Sequence, residues 1–597
     1  MDFPGLIYTN ENCISCNKCV KVCTSPGASY LHISGSSLSV NIDPLRCVSC
    51  GACFSLCEHN ARDYRDDTRE FFDDLAKGES ISVLIAPAFK AAYPDEYASI
   101  LGGLKKLGVK RIISVSFGAD ICTWAYLKYM EEHNFRGAIS TPCPVTVSYV
   151  EHCLPELIPK LMPVQSPMIC AAIYCREELS ITDRLAFIGP CIGKKLEMDE
   201  YVDSPVHYNV TFLKLMEYVR AHHVYGEEAD GEIEYGLGSF YPAAGGLADN
   251  IRWFLGDDAK IRVVSGKTYL YGWMNKNAGI IQSGELPFLL VDALNCQDGC
   301  IEGTASEAGR FEEDQILYAI QKIREESKST LDTSPWNADL SPEERLRRLN
   351  QQFSHLSLSH YLRSFADHSA SCRMRIPSPE EADEIFNEMY KTTPESRQIN
   401  CSTCGYNSCY DLMTAIYNHF NDKRSCIYYE KEEALRLERL SFYDHMTGVM
   451  NRRALENSLI NMMYPFKSVV VIAADINGLK EANDRYGHEA GDRLIITAAN
   501  SFSNAFGAGN VFRTGGDEFL IIWQDHTEEE CRQEIELVRK RMEEQGVSAS
   551  IGYAYSPVYS SNFEEMKILA DKEMYADKEQ YYIRTGKRRR FTEDPVL

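Results

Sequence analysis

The sequence predicts a multidomain protein of mixed α+β and α/β architecture, and three observations predict it. At 597 residues the chain is too long for a single hydrophobic core. From about Ser80 onward, apolar runs of strand length alternate with amphipathic helical stretches, as in Ser82–Ala88, Arg111–Ser116, Leu185–Ile188 and Phe288–Leu294. Most of the 22 cysteines fall into patterned sets that divide the chain. The hydrophobic share, 44%, and the charged share, 25%, are those of an ordinary globular protein. A net charge of −24 argues against nucleic acid or an anionic membrane as partner, so neither is expected. No basic-then-apolar leader opens the sequence, and runs such as Ser468–Ala474 are too short to span a bilayer. A cytoplasmic location is expected, and in that reducing compartment the cysteine excess reads as metal binding.

Residues 1–66 carry the first pattern. Cys13, Cys16, Cys19 and Cys23 are spaced C-x2-C-x2-C-x3-C, and Cys47, Cys50, Cys53 and Cys57 repeat that spacing. The segment resembles a ferredoxin-type two-cluster domain. In such domains the fourth cysteine of each run serves the other cluster. Cys13, Cys16, Cys19 and Cys57 would hold one 4Fe-4S centre, and Cys47, Cys50, Cys53 and Cys23 the other. Thr24 and Glu58 stand where the family usually has proline. Zinc is the competing reading of such cysteines, and the duplication argues against it.

Residues 78–365 read as an α/β domain with four cysteines at the ends of strand-like runs, where such folds place their sites. Spacing alone supports no more than a metal site. The motifs Ala86-Pro87-Ala88, Phe117 to Asp120, and Gly245-Gly246, with the three cysteine motifs, resemble the large domain of FeFe hydrogenases. The resemblance implies that Cys143, Cys191, Cys296 and Cys300 bind the 4Fe-4S part of an H-cluster, with Cys300 bridging to a diiron subsite. Lys194 would donate to a cyanide of the diiron unit. The proton relay of that family is missing. Pro142 replaces the relay cysteine, Tyr126 and Tyr129 replace glutamates, and Gly189 and Leu294 replace methionines that usually pack on the cluster. A positioned relay is worth about 10²–10⁴-fold, so hydrogen turnover is expected to be slow. Three readings follow: a sensor of dihydrogen (H2), a slow hydrogenase, or a degenerate domain.

Residues 376–429 contain Cys401, Cys404, Cys409 and, further on, Cys426. The pattern resembles the small 4Fe-4S domain that follows the hydrogenase-like part in sensory FeFe-hydrogenase-like proteins. Gly405 is expected to let the backbone approach a cluster sulfide. The remaining cysteines, Cys122, Cys153, Cys170, Cys175, Cys372 and Cys531, have no ligand spacing and read as ordinary buried thiols. Residues 430–443 read as a coupling helix, too short to settle whether it pairs across a dimer.

Residues 444–597 carry the most legible chemistry. A strand-like run ends at Asp475, and Arg513-Thr-Gly-Gly-Asp-Glu-Phe joins two further apolar runs as a hairpin. The segment resembles the GGDEF diguanylate cyclase domain, a ferredoxin-like relative of nucleotidyl cyclases. Asp475 and Asp517, with the Ile476 carbonyl, suit Mg²⁺ shared with nucleotide phosphates. The resemblance places Asn483 and Asp492 on the guanine edge of GTP and Gly515 and Gly516 beneath its phosphates. It makes Glu518 a catalytic support, and Arg513 and Lys578 cationic partners of phosphate. Phe506 to Gly509 replaces the family's Arg-x-x-Asp, so product feedback through that site is expected to be absent. The usual Gly-Arg-Asn after Lys578 is missing too, and the basic run after Gly586 reads as a solvated tail.

The expected function is synthesis of cyclic di-GMP from two GTP by a homodimer meeting at its GGDEF domains. Its control is expected from an iron–sulfur array that senses dihydrogen or redox state, with a partner such as ferredoxin. The alternative is a slow hydrogenase or electron-transfer protein whose GGDEF domain only reads nucleotide.

Overall fold

The computed structural model describes residues 5–35, 37–200, 203–233, 236–307, 313–461, 468–558 and 562–586. The basic run 587–590 lies outside them. The chain separates into two compact units, Met1–Ile427 and Tyr428–Leu597.

In the first unit, strand Ile7–Thr9 pairs antiparallel with Arg62–Tyr64, and Ser29–Ser34 pairs with Ser37–Ile42. Two short helices, Lys18–Lys21 and Ala52–Ser55, sit inside the two cysteine runs. Each begins after a left-handed step, at Ser15 and Asn17 in one run and at Ser49 and Gly51 in the other. The sequence duplication is therefore repeated in backbone conformation. Asn and Gly tolerate that conformation best.

Next come two parallel sheets. One has the order Ile112–Ser114, Ile81–Ile85, Arg184–Gly189, Val206–Thr211. The other has the order Ile261–Ser265, Leu290–Leu294, Ala138–Ile139. Ile81–Ile85 and Leu290–Leu294 are buried along their whole length, as strands covered on both faces must be. The first is shorter than its apolar run because Pro87 starts helix Ala88–Ala92. Cys143, Cys191 and Cys296 each follow the carboxyl end of a strand closely. Helices Pro379–Glu388 and Cys409–Tyr417 complete the unit, each opened by a capping box, Ser378 with Glu381 and Ser408 with Asp411.

Helix Ile427–Phe442 enters the second unit and has no buried residue. The sheet beyond it has the order Met450–Asn451, Val511–Arg513, Glu518–Gln524, Val469–Ile476, Ala549–Ser556. The central strand alternates its faces. Val470, Ile472 and Ala474 pack with helices His488–Phe506 and Glu528–Glu544. Val469, Val471 and Ala473 pack with Met566, Ala570 and Met574 of helix Phe563–Thr585. This two-sided burial explains why the run is apolar at every position. Among the described residues no helix is long and apolar enough to cross a membrane.

Candidate functional site

In the first unit, the cysteine runs fold onto each other. Cys23 lies beside Cys50, and Cys47 and Cys53 lie close to both. Cys19 lies close to Cys13 and Cys16. The fourth cysteine of the first run thus joins the first three of the second. Burial pushes the Cys47 thiol up to about 12 and Cys53 well above the ordinary range. Buried Arg62 donates to Cys19 Sγ at 3.1 Å and supplies positive charge there.

Cys143, Cys191, Cys296 and Cys300 also meet. Burial, then the neighbouring sulfurs, lifts Cys191 to about 11, Cys296 to about 12 and Cys300 well upward. A cavity of about 90 Å³ adjoins Cys191 and Cys300, bounded by Pro142, Phe187, Lys194 and Leu294. A side chain at Gly189 would strike the Phe187 ring, so that ring fills the space a larger residue would take. Lys194 Nζ donates to Glu197 Oε2 at 2.7 Å and to the Pro142 carbonyl at 3.2 Å. An ammonium has three donors, so one remains for the cavity. Tyr126 is fully buried and its hydroxyl accepts from the Thr141 N–H at 2.8 Å. Burial raises its pKa far above the usual phenol value, which makes it a still poorer relay. The partly buried Tyr129 stacks on His133 at 4.1 Å.

Asn295 links two of these groups. Its Nδ2 donates to the Cys50 carbonyl at 3.2 Å and to Cys296 Sγ at 3.7 Å. At the other side, Cys404 lies near Cys401 and Cys426. The Cys409 N–H donates to Asn400 Oδ1 at 2.9 Å. Tyr406 neighbours both Cys404 and Cys23. Gly405 has φ +89°, and a Cβ there would lie 2.8 Å from the Asn17 carbonyl. The close approach this glycine permits is therefore to the first cysteine run.

In the second unit, Asp475 and Glu518 are register partners on adjacent antiparallel strands, and Asp517 ends the hairpin beside them. The Ile476 N–H donates to the Asp517 carbonyl at 3.1 Å, which fixes the two loops together. Lys578 Nζ reaches Asp475 Oδ1 at 2.6 Å. Burial raises the Asp475 pKa, Asp517 and Glu518 raise it further, and Lys578 partly offsets this. Lys578 itself is raised although burial opposes it, because Asp475 holds its proton. Arg513 is committed elsewhere: it donates to Asp444 Oδ1 and to the Gly516 carbonyl, both at 2.9 Å. It therefore braces the hairpin. Asn483 Oδ1 is buried with no hydrogen-bond partner among the described residues. It faces Gly491, where any Cβ would collide with it, next to Asp492. A cavity of about 620 Å³ is lined by Ile476, Asp517 and Lys578 together with Lys480, Arg485 and Tyr581.

Among the described residues, no three Cys, His, Asp or Glu side chains close on one point as a single-ion site. At Asp475 the Lys578 ammonium stands where a cation would compete. The donors nevertheless suit Mg²⁺: hard carboxylates and a backbone carbonyl.

Residues 441–582 match the family model "Diguanylate cyclase, GGDEF domain". The C-terminal unit is a GGDEF domain. Residues 79–304 match "Iron only hydrogenase large subunit, C-terminal domain", and residues 11–61 match "4Fe-4S dicluster domain". Diguanylate cyclase VdcA of Vibrio cholerae is 27% identical over 162 residues, 27% of this chain and 45% of that protein. The probable diguanylate cyclase DgcJ of Escherichia coli is 31% identical over 151 residues, 24% of this chain and 30% of that protein. The chain thus spans less than half the length of these relatives, and the likeness is confined to the GGDEF domain. An apo FeFe-hydrogenase from Chlamydomonas reinhardtii aligns over 51% of this chain and 100% of its own, at 15% identity and TM-score 0.38.

The GGDEF cavity contains residues that sequence reasoning missed. Lys480 and Arg485 bring positive charge to its wall. Their signal was present in the sequence, as basic residues in the first helix after the Asp475 strand. Glu197, the buried partner of Lys194, was missed because an i,i+3 pair is common on any helix.

Proposed function

We propose that the chain makes cyclic di-GMP from two GTP, releasing two pyrophosphates, at GGDEF domains that meet in a homodimer. One observation carries this reading. Asp475 and Glu518 are register partners next to Asp517, which lines a cavity in the same unit that holds the orphaned Asn483 Oδ1 against Gly491. An acidic metal platform and an unsatisfied amide beside a small-residue cradle are what a guanosine triphosphate requires. Asp475, Asp517 and the Ile476 carbonyl would hold Mg²⁺. That ion supplies charge neutralisation at the α-phosphate and acidifies the attacking ribose hydroxyl. Asn483 and Asp492 read the guanine edge. Gly515 and Gly516 leave room for phosphate above the turn. Lys578 turns from Asp475 toward phosphate, joined by Lys480 and Arg485. Arg513 keeps the hairpin in place through Asp444 and Gly516. Asp517→Ala should abolish product with the fold intact. Unchanged synthesis in that variant would refute the assignment.

The first unit is the regulator in this reading. The cysteine sets suit three 4Fe-4S clusters and a fourth at Cys143, Cys191, Cys296 and Cys300; such clusters supply one-electron storage. Contacts through Asn295 and Tyr406 order them as a chain from the cavity beside Cys300 to Cys426. Helix Ile427–Phe442 follows Cys426 directly. Dihydrogen, or electrons delivered by a ferredoxin-like partner, would alter how GGDEF domains pair. A few kcal/mol of difference between two sensor states is enough. The cavity bounded by Lys194 favours one further reading, a slow hydrogenase, because it offers a donor and space next to Cys300. Infrared bands of carbonyl and cyanide in the matured protein would establish a diiron subsite.

A further inference from the structure

Cys153 and Cys372, which the sequence presents as ordinary buried thiols, are in fact neighbours. Cys153 ends helix Pro144–Cys153, whose first turn follows Cys143. Cys372 ends the short helix Ser369–Cys372, on the segment that leads to helix Pro379–Glu388 and the third cysteine set. Their side chains interact with each other. Both also reach the Ser25 hydroxyl, at 3.8 Å and 3.6 Å. Ser25 stands two residues after Cys23, so the pair lies where three cysteine-bearing segments of one unit come together.

We propose that Cys153 and Cys372 form a reversible dithiol–disulfide switch that responds to low-molecular-weight disulfides. Their surroundings give the two sulfurs different parts. The Cys153 thiol donates to the Ser25 hydroxyl. Cys372 and burial raise Cys153, while Cys153, Ser25 and Ser371 around Cys372 hold Cys372 below the ordinary thiol range. His152 lies near Cys372 and adds to the same effect, and its ring faces His368 at 5.3 Å. A thiolate is the attacking species in disulfide exchange. Cys372 thiolate attacks one sulfur of the small disulfide and expels one small thiolate, giving a mixed disulfide. Cys153 loses its proton and displaces the second small thiolate. The two cysteines lose two electrons, the small disulfide gains them, and two small thiols leave. Cys372 is buried and Cys153 half-buried, so a small disulfide reaches the pair from the Cys153 side. A second adjoining pair, Cys122 and Cys170, is 0% exposed and serves as the internal contrast. Closing the bond would fasten the segment before the third cysteine set to the helix after Cys143.

The test uses the full-length, cluster-loaded protein, held anaerobically in mixtures of glutathione and glutathione disulfide, then alkylated, digested and analysed by mass spectrometry. A Cys153–Cys372 linked peptide should grow as the disulfide share rises. Iron content should hold constant, Cys122 and Cys170 should remain alkylated, and dithiothreitol should reverse the change. With Cys153→Ser the reaction should stop at glutathione on Cys372. With Cys372→Ser, Cys153 should stay free. The proposal is overturned if no linked peptide forms at any mixture. It is equally overturned if Cys372 carries no glutathione in the Cys153→Ser chain.

Discussion

Asn483 holds a buried amide oxygen with nothing to bond in the free protein. Leaving such a group unsatisfied costs about 1–3 kcal/mol, which a correct ligand recovers on binding. Asn483→Ala should therefore leave folding intact and lower kcat/KM for GTP by roughly 10–100-fold, read from initial rates. Asp475 supports a pH prediction. Its pKa is raised by burial and by Asp517 and Glu518. As pH falls, it protonates before an ordinary aspartate at about 3.9 and releases Mg²⁺. Turnover should fail on the acid side at a higher pH than that value. For stability the sign is opposite. A raised carboxyl favours the fold below its unfolded pKa and loses that contribution as pH rises through the folded one. Asp475→Asn should thus abolish product without lowering the urea midpoint at neutral pH.

Helix Ile427–Phe442 leaves Leu437 57% and Leu440 63% exposed in the single chain. Apolar side chains one turn apart on a helix with no buried residue suit a second copy of the same helix. Leu437→Glu with Leu440→Glu should weaken the dimer measured by sedimentation and make synthesis depend more steeply on protein concentration. Gly405 belongs to a different element, the turn before helix Cys409–Tyr417. Gly405→Ala should cost about 1–2 kcal/mol for the left-handed backbone alone, and more because of Asn17. Its expected outcome is loss of iron from the third cysteine set, seen as a lower iron-to-protein ratio. These elements also show what could be read in advance. The duplicated cysteine runs, the strand ending at Asp475 and the Gly515-Gly516 hairpin were legible because local spacing fixes them. The brace from Arg513 to Asp444, the Phe187 ring over Gly189 and the meeting of Cys153 with Cys372 were not. Each depends on which distant segments pack together, and no local pattern encodes that.

At the scale of the whole molecule, the chain has two units, and the account assigns sensing to one and synthesis to the other. The first unit orders its cysteine sets through Asn295 and Tyr406, ending at Cys426. The second brings Asp475 and Glu518 together across adjacent strands and holds the unsatisfied Asn483 Oδ1. The most direct measurement is the yield of cyclic di-GMP from GTP and Mg²⁺ by the anaerobically purified full-length chain, poised in turn reduced, oxidised and under dihydrogen. The account predicts product that vanishes in Asp517→Ala and a rate that differs between at least two of these states. No cyclic dinucleotide from the unaltered chain in any state would contradict it.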